Sequence, residues 1–192
     1  MEITLGRRAV LASSTSAPSA STPSLQAALR AGGVTLYLRH PATDRGGVDD
    51  AHSPREQQRL LSPEGEQQAR DLGGAFERLG ATPGRVLTSP SWRCRDAATL
   101  AFGRGEVDWG LQALLQDTDT RPERERYGAA MVATVVPDGQ VTVLIGHSSN
   151  IVAATGVSLP EGGGVLVRGD GERAQVLGAL TPTDWAVWAS EG

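Results

Sequence analysis

Val34-Thr35-Leu36-Tyr37-Leu38-Arg39-His40 is the stretch from which the fold can be read. Its first five residues form a nearly continuous apolar run, the pattern of a strand covered on both faces. The run ends in Arg39-His40. A second run, Val141-Thr142-Val143-Leu144-Ile145, ends in Gly146-His147. A buried strand that delivers a histidine at its carboxyl end places it where open α/β sheets bind ligands. Two such strands can bring their histidines together although the residues lie far apart in sequence. Arg93, in Thr88-Ser89-Pro90-Ser91-Trp92-Arg93, joins them, and an arginine there can fork onto phosphate oxygens. The expected product is a local cationic pocket for phosphate.

Outward from these runs, strands alternate with helices. Ser24 is expected to cap a helix through Arg30, stopped by Gly32-Gly33. Residues 41–61 are rich in turn formers and read as a loop crossing the pocket mouth. Ser62-Pro63-Glu64 starts a helix whose apolar positions Ala69, Leu72, Gly73, Phe76 and Leu79 keep helical spacing up to Gly80. A short strand at 85–88 leads to a helix over 91–102. Another helix is expected from Pro122 to about Val136, weakened by Gly128. Ser149 to Thr155 follows the second histidine as a helix. Val165–Val167 and Ala174–Leu180, separated by Gly169-Asp170-Gly171, form an antiparallel hairpin. Thr181-Pro182-Thr183-Asp184 caps a last helix, whose Trp185 and Trp188 pack it on the sheet. The fold class is a three-layer α/β/α sandwich with a mostly parallel central sheet and this hairpin at one edge.

A chain of 192 residues holds one domain with a substantial core. It is 39% hydrophobic and 21% charged, with no apolar stretch of membrane-spanning length. A net charge of -4 argues against a general nucleic-acid role. Every basic side chain is an arginine, and the single cysteine, Cys94, excludes an intramolecular disulfide. Residues 1–23 read as a disordered tail or a degenerate export signal ahead of a domain over 24–192. Arg7-Arg8 before a short apolar segment has the outline of a twin-arginine leader. The protein is expected to be exported or periplasmic if the segment is a signal, and cytoplasmic otherwise.

Four motifs recur in the order of a known family. These are Leu38-Arg39-His40 with Thr43, Leu61-Ser62-Pro63-Glu64-Gly65-Glu66-Gln67-Gln68-Ala69, Ser89-Pro90-Ser91-Trp92-Arg93, and Gly146-His147. Together they resemble the signatures of the histidine phosphatase superfamily, also called phosphoglycerate-mutase-like, over roughly residues 33–190. The resemblance implies a metal-independent phosphomonoesterase of the histidine acid phosphatase type, with no cofactor and a small phosphorylated substrate. His40 would be the nucleophile, forming a phosphohistidine. Arg39, Arg93 and His147 would hold the non-bridging oxygens and offset charge in the transition state. Thr43 and Ser148 would add contacts to the substrate, and Ser148 and Asn150 would orient the pocket.

Two departures qualify that pattern. Pro41 stands where the family carries a glycine, so it offers no backbone N–H to phosphate. Residues 111–126 show no match to the family's usual leaving-group acid. Leu159-Pro160-Glu161-Gly162 resembles an acid-bearing segment of another subset, so Glu161 is the candidate acid and Asp117 the next. His52 with Asp44, Asp49 and Asp50 reads as a solvated loop cluster rather than a metal site, and Arg95 as a surface residue. A short chain without room for a lid favours hydrolysis over mutase transfer, which must exclude water. The alternatives are a phosphatase acting on phosphohistidine in a partner protein, or a non-catalytic module that binds a phosphorylated ligand.

Overall fold

In the computed structural model, which describes residues 21–116 and 118–191, the opening run is strand β1 (Val34–Arg39). The strands that follow are β2 (Pro83–Thr88), β3 (Glu106–Val107), β4 (Val141–Gly146), β5 (Gly164–Gly169) and β6 (Ala174–Leu180). They form one sheet in the order β3-β2-β4-β1-β5-β6. The first four are mutually parallel, and β5 and β6 run antiparallel at one edge. The sheet is therefore mixed, with a parallel centre and the expected carboxy-terminal hairpin.

Side chains alternate along β1, and the two faces make two cores. Val34, Leu36 and Leu38 pack with helices α1 (Thr22–Ala31), α2 (Pro63–Leu79), α3 (Trp92–Phe102) and α6 (Pro182–Ser190). Tyr37 faces the opposite way, toward α4 (Arg121–Ala133) and α5 (Ser148–Thr155), with Leu144, Val132 and Ile151 around it. These are the three layers. Trp185 is fully buried and meets Trp188 edge-on at 5.3 Å, which seats α6 as expected.

The local signals set most boundaries. Ser62 caps α2 by accepting from Gly65 N at 3.1 Å, Pro63 occupies its first turn, and Gly80 ends it in the left-handed conformation at φ 65°. The α1 helix starts at Thr22, ahead of the expected Ser24 cap. Helix α4 ends at Ala133 rather than near Val136. Its Ala133 carbonyl accepts from Gly171 N, and the backbone turns extended at Thr134, ahead of Pro137, before which helical backbone would clash. Gly128 lies within α4 without breaking it, on the side that faces Ala154 of α5. Two short 3-10 turns, Arg55–Gln57 and Trp109–Leu111, and the two-residue β3 carry no periodic signal in the sequence. Residues 1–20, most of the expected tail or signal, and Asp117 lie outside the described residues.

Candidate active site

Three adjacent parallel strands, β2, β4 and β1, end side by side. Thr88 pairs with Ile145, and Arg39 with Gly146. The residues immediately after these ends are held to the neighbouring strand, His40 N donating to Gly146 O at 3.0 Å and Ser89 N to Ile145 O at 2.9 Å. Sheet register alone thus delivers Ser89, His147 and His40 to one edge. Arg93 enters from the first turn of α3, one turn after Ser89. The two imidazoles stand edge to face with centroids 5.5 Å apart, and both are buried.

Hydrogen bonds assign the ring nitrogens. His40 Nδ1 lies 2.9 Å from Pro41 O, and a carbonyl only accepts, so Nδ1 carries the proton and Nε2 holds a free lone pair. His147 Nδ1 lies 3.2 Å from Arg93 Nη2, which only donates, so its proton sits on Nε2 and is given to Ser89 Oγ at 2.7 Å. The Ser89 hydroxyl can also donate, so the opposite tautomer of His147 forms where Arg93 Nη2 leaves Nδ1 for another acceptor. Burial first, and the Arg93 charge next, lower His40 to about 3 from 6.5. The same two causes hold His147 well below 6.5. Both rings are neutral at ordinary pH.

A cavity of about 440 Å³ opens over these rings, lined by Arg39, Arg59, Arg93, Asp49 and Gln116 among others. The Nε–H groups of Arg39 and Arg93 are buried and make no hydrogen bond to the described residues. Such donors are costly unless an anion meets them. Arg39 is aimed by two acceptors, Leu159 O at 2.9 Å and Glu161 Oε1 at 3.4 Å. Burial pulls Arg93 below the ordinary arginine value, while Asp49 at 2.9 Å acts in the other direction. The amino end of α5 adds its partial positive charge at Ser148. The assembled surface can seat a tetrahedral anion beside a neutral, correctly tautomerised imidazole.

In sequence, the chain matches no family model and no curated protein. In structure it is similar to the protein histidine phosphatase SixA complexed with tungstate. That match has a TM-score of 0.57 and 17% identity, and covers 79% of this chain and 98% of that one. It is also similar to a phosphoserine phosphatase from Entamoeba histolytica in complex with 3-phosphoglyceric acid, at TM-score 0.57 and 12% identity, over 79% of this chain and 98% of that one. A mycobacterial glucosyl-3-phosphoglycerate phosphatase matches at TM-score 0.50 and 15% identity, over 76% and 97% of the two chains. The fold is that of the histidine phosphatases.

Within the histidine phosphatase fold, the expected residues divide into two groups. Arg39, His40, Arg93, His147 and Ser148 all line the one cavity. Thr43 and Glu161 do not line it but bind each other: Thr43 N and Oγ1 donate to Glu161 at 3.3 and 3.4 Å. Asn150 fixes the far wall, accepting from Leu114 N at 3.3 Å and donating to Gln112 O at 2.9 Å. Arg95 stacks on Trp92 at 3.6 Å from the ring centroid, and His52 on Trp109 at 4.8 Å. Among the described residues no group of three or more His, Cys, Asp or Glu side chains is placed to hold a metal ion. Cys94, whose thiol burial pushes up to about 12, lies 3.9 Å from His147 as a neutral neighbour.

Sequence reasoning missed four participants. Ser89 was visible as part of its motif but not as the partner of His147. Pro41 was read as a lost N–H, whereas its carbonyl sets the His40 tautomer. Arg59 and Asp49 stand in the polar 41–61 loop among other charged residues, where no spacing distinguishes them.

Proposed function

We propose that the protein is a phosphomonoesterase that hydrolyses a small phosphate ester through a phosphohistidine on His40. The observation that carries this reading is the Pro41 contact, which leaves the Nε2 lone pair of a buried neutral imidazole beside Arg39 and Arg93. Nε2 attacks phosphorus and the alcohol leaves; water then attacks the phosphohistidine and releases phosphate. Arg39, Arg93 and Arg59 offset charge on the non-bridging oxygens, which is the role a metal plays in other phosphoryl transfers. His147 joins them once phosphate draws Arg93 Nη2 away from His147 Nδ1: the Ser89 hydroxyl then donates to Nε2, and the ring presents an Nδ1 proton to phosphate. Glu161 serves Arg39 and the Thr43 loop as a shared acceptor. The cavity suits a small ester in size.

The test is a panel of phosphate esters with and without a chelator, against His40→Ala. Turnover should be insensitive to chelation and fall about 10⁴-fold or more in the variant. Phosphate binding without turnover of any ester would instead identify a non-catalytic binding module. A second reading, removal of phosphate from phosphohistidine on a partner protein, draws support from the likeness to the protein histidine phosphatase SixA. A phosphohistidine peptide in the same panel separates the two by relative kcat/KM.

A further inference from the structure

One carboxylate oxygen reaches both guanidiniums at the cavity mouth: Asp49 Oδ1 lies 2.9 Å from Arg93 Nη1 and 3.2 Å from Arg59 Nε. The Asp49 side chain is 53% exposed whereas that of Arg93 is 3% exposed, so the contact marks the solvent side of the pocket. The Gln116 side-chain amide donates to the Asp49 carbonyl, tying the 41–61 loop to the opposite wall. Displacement at phosphorus is in line. The departing oxygen therefore lies on the far side of phosphorus from His40 Nε2, toward the mouth, and the group that protonates it must stand there. Two described carboxylates line the cavity, Asp49 and Asp50. Asp50 is committed to a turn, accepting from His52 N at 3.0 Å and Ser53 Oγ at 2.9 Å. Glu161 lies off the lining, against Arg39 and Thr43.

Resting on the phosphomonoesterase reading above, we propose that Asp49 is the leaving-group acid, and that its carboxylate fills the anion seat until substrate displaces it. A monoester monoanion arrives with one proton. Its oxygens take Arg93 and Arg59, and the displaced carboxylate, now beside the phosphoryl group without its two cations, receives that proton. The His40 Nε2–P bond forms as the P–O bond to the alcohol breaks, and Asp49 passes the proton to the departing oxygen. Water then attacks phosphorus and gives one proton to Asp49, and the electron pair of the N–P bond returns to Nε2. Phosphate takes the proton back from Asp49 as it leaves, and the carboxylate returns to Arg93 and Arg59.

The experiment compares wild type, Asp49→Asn and Glu161→Gln on phenyl phosphate and p-nitrophenyl phosphate, with calorimetric affinity for inorganic phosphate. Asparagine keeps the shape but supplies neither the proton nor the internal anion. Asp49→Asn should slow phenyl phosphate by about 10²–10⁴-fold and p-nitrophenyl phosphate far less, since that leaving group departs unprotonated. It should also bind phosphate several-fold more tightly, because no internal anion competes for the seat. Glu161→Gln should affect both esters alike. Equal slowing of the two esters by Asp49→Asn, or the discriminating loss appearing in Glu161→Gln, overturns the assignment. If wild type turns over neither ester, the hydrolase reading fails; unchanged phosphate affinity in Asp49→Asn separately overturns displacement of the carboxylate.

Discussion

The proton on His40 Nδ1, given to Pro41 O, and the proton on His147 Nε2, given to Ser89 Oγ, leave His147 Nδ1 a lone pair that accepts from Arg93 and His40 Nε2 a lone pair for phosphorus. Neutrality of both rings has a consequence for stability. An unfolded chain protonates its histidines near pH 6.5, whereas the fold holds His40 down to about 3 and His147 well below 6.5. Below the unfolded value the unfolded state binds more protons, so folding loses ground as pH falls. The stability linked to these rings is whole above about pH 6.5 and drains away down to the folded value of about 3. Denaturant midpoints should fall over that window, and His40→Gln should flatten the fall; parallel slopes would assign the loss to other groups. At this scale the sequence was legible where a strand end fixes the residue, as for His40 and His147. It was silent for Asp49 and Arg59, whose roles depend on how a twenty-residue loop folds back over the sheet.

Helix α2 holds the loop that follows the nucleophile. Ser62 N donates to Ala42 O at 3.0 Å, and Gln68 Oε1 accepts from Ala42 N at 3.0 Å. Gly65 lies so close to the Ala42 carbonyl that a methyl group there would collide with it. The serine, glycine and glutamine of the Leu61–Ala69 motif thus share one physical task, fixing Pro41-Ala42-Thr43 and through it the carbonyl that orients His40. Gly65→Ala should destabilise by about 1–3 kcal/mol, read by chemical denaturation, and lower kcat in the same step. A variant with wild-type kcat would uncouple α2 from the site. Element reading succeeded here because cap, proline and periodicity agree. It overran α4, whose end is set by a carbonyl shared with the distant hairpin at Gly171. It also passed over the 3-10 turns, which are too short to show a period.

At the scale of the molecule, one parallel pair and its neighbour make the site: β1, β4 and β2 end together, and a chain of net charge -4 gathers three arginines at that edge. The same end of the sheet is reinforced from α6, where Trp185 Nε1 donates to Gly162 O at 3.1 Å. The same segment meets the end of β1, with Gly163 O accepting from Arg39 N at 2.9 Å and Gly162 N donating to His40 O at 3.0 Å. Layer order and sheet topology were legible because buried parallel strands announce themselves as apolar runs. The cavity's outer wall was not, since it is assembled from the loops around residues 49–59 and 113–116, which share no periodic signal in sequence. The most direct measurement is rapid quench of a turnover mixture into alkali, where phosphohistidine survives, followed by peptide mass spectrometry. A phosphoryl group on His40 that forms and decays at the turnover rate is the expected result. Label on any other residue, or steady turnover with none on His40, would overturn the assignment of the nucleophile.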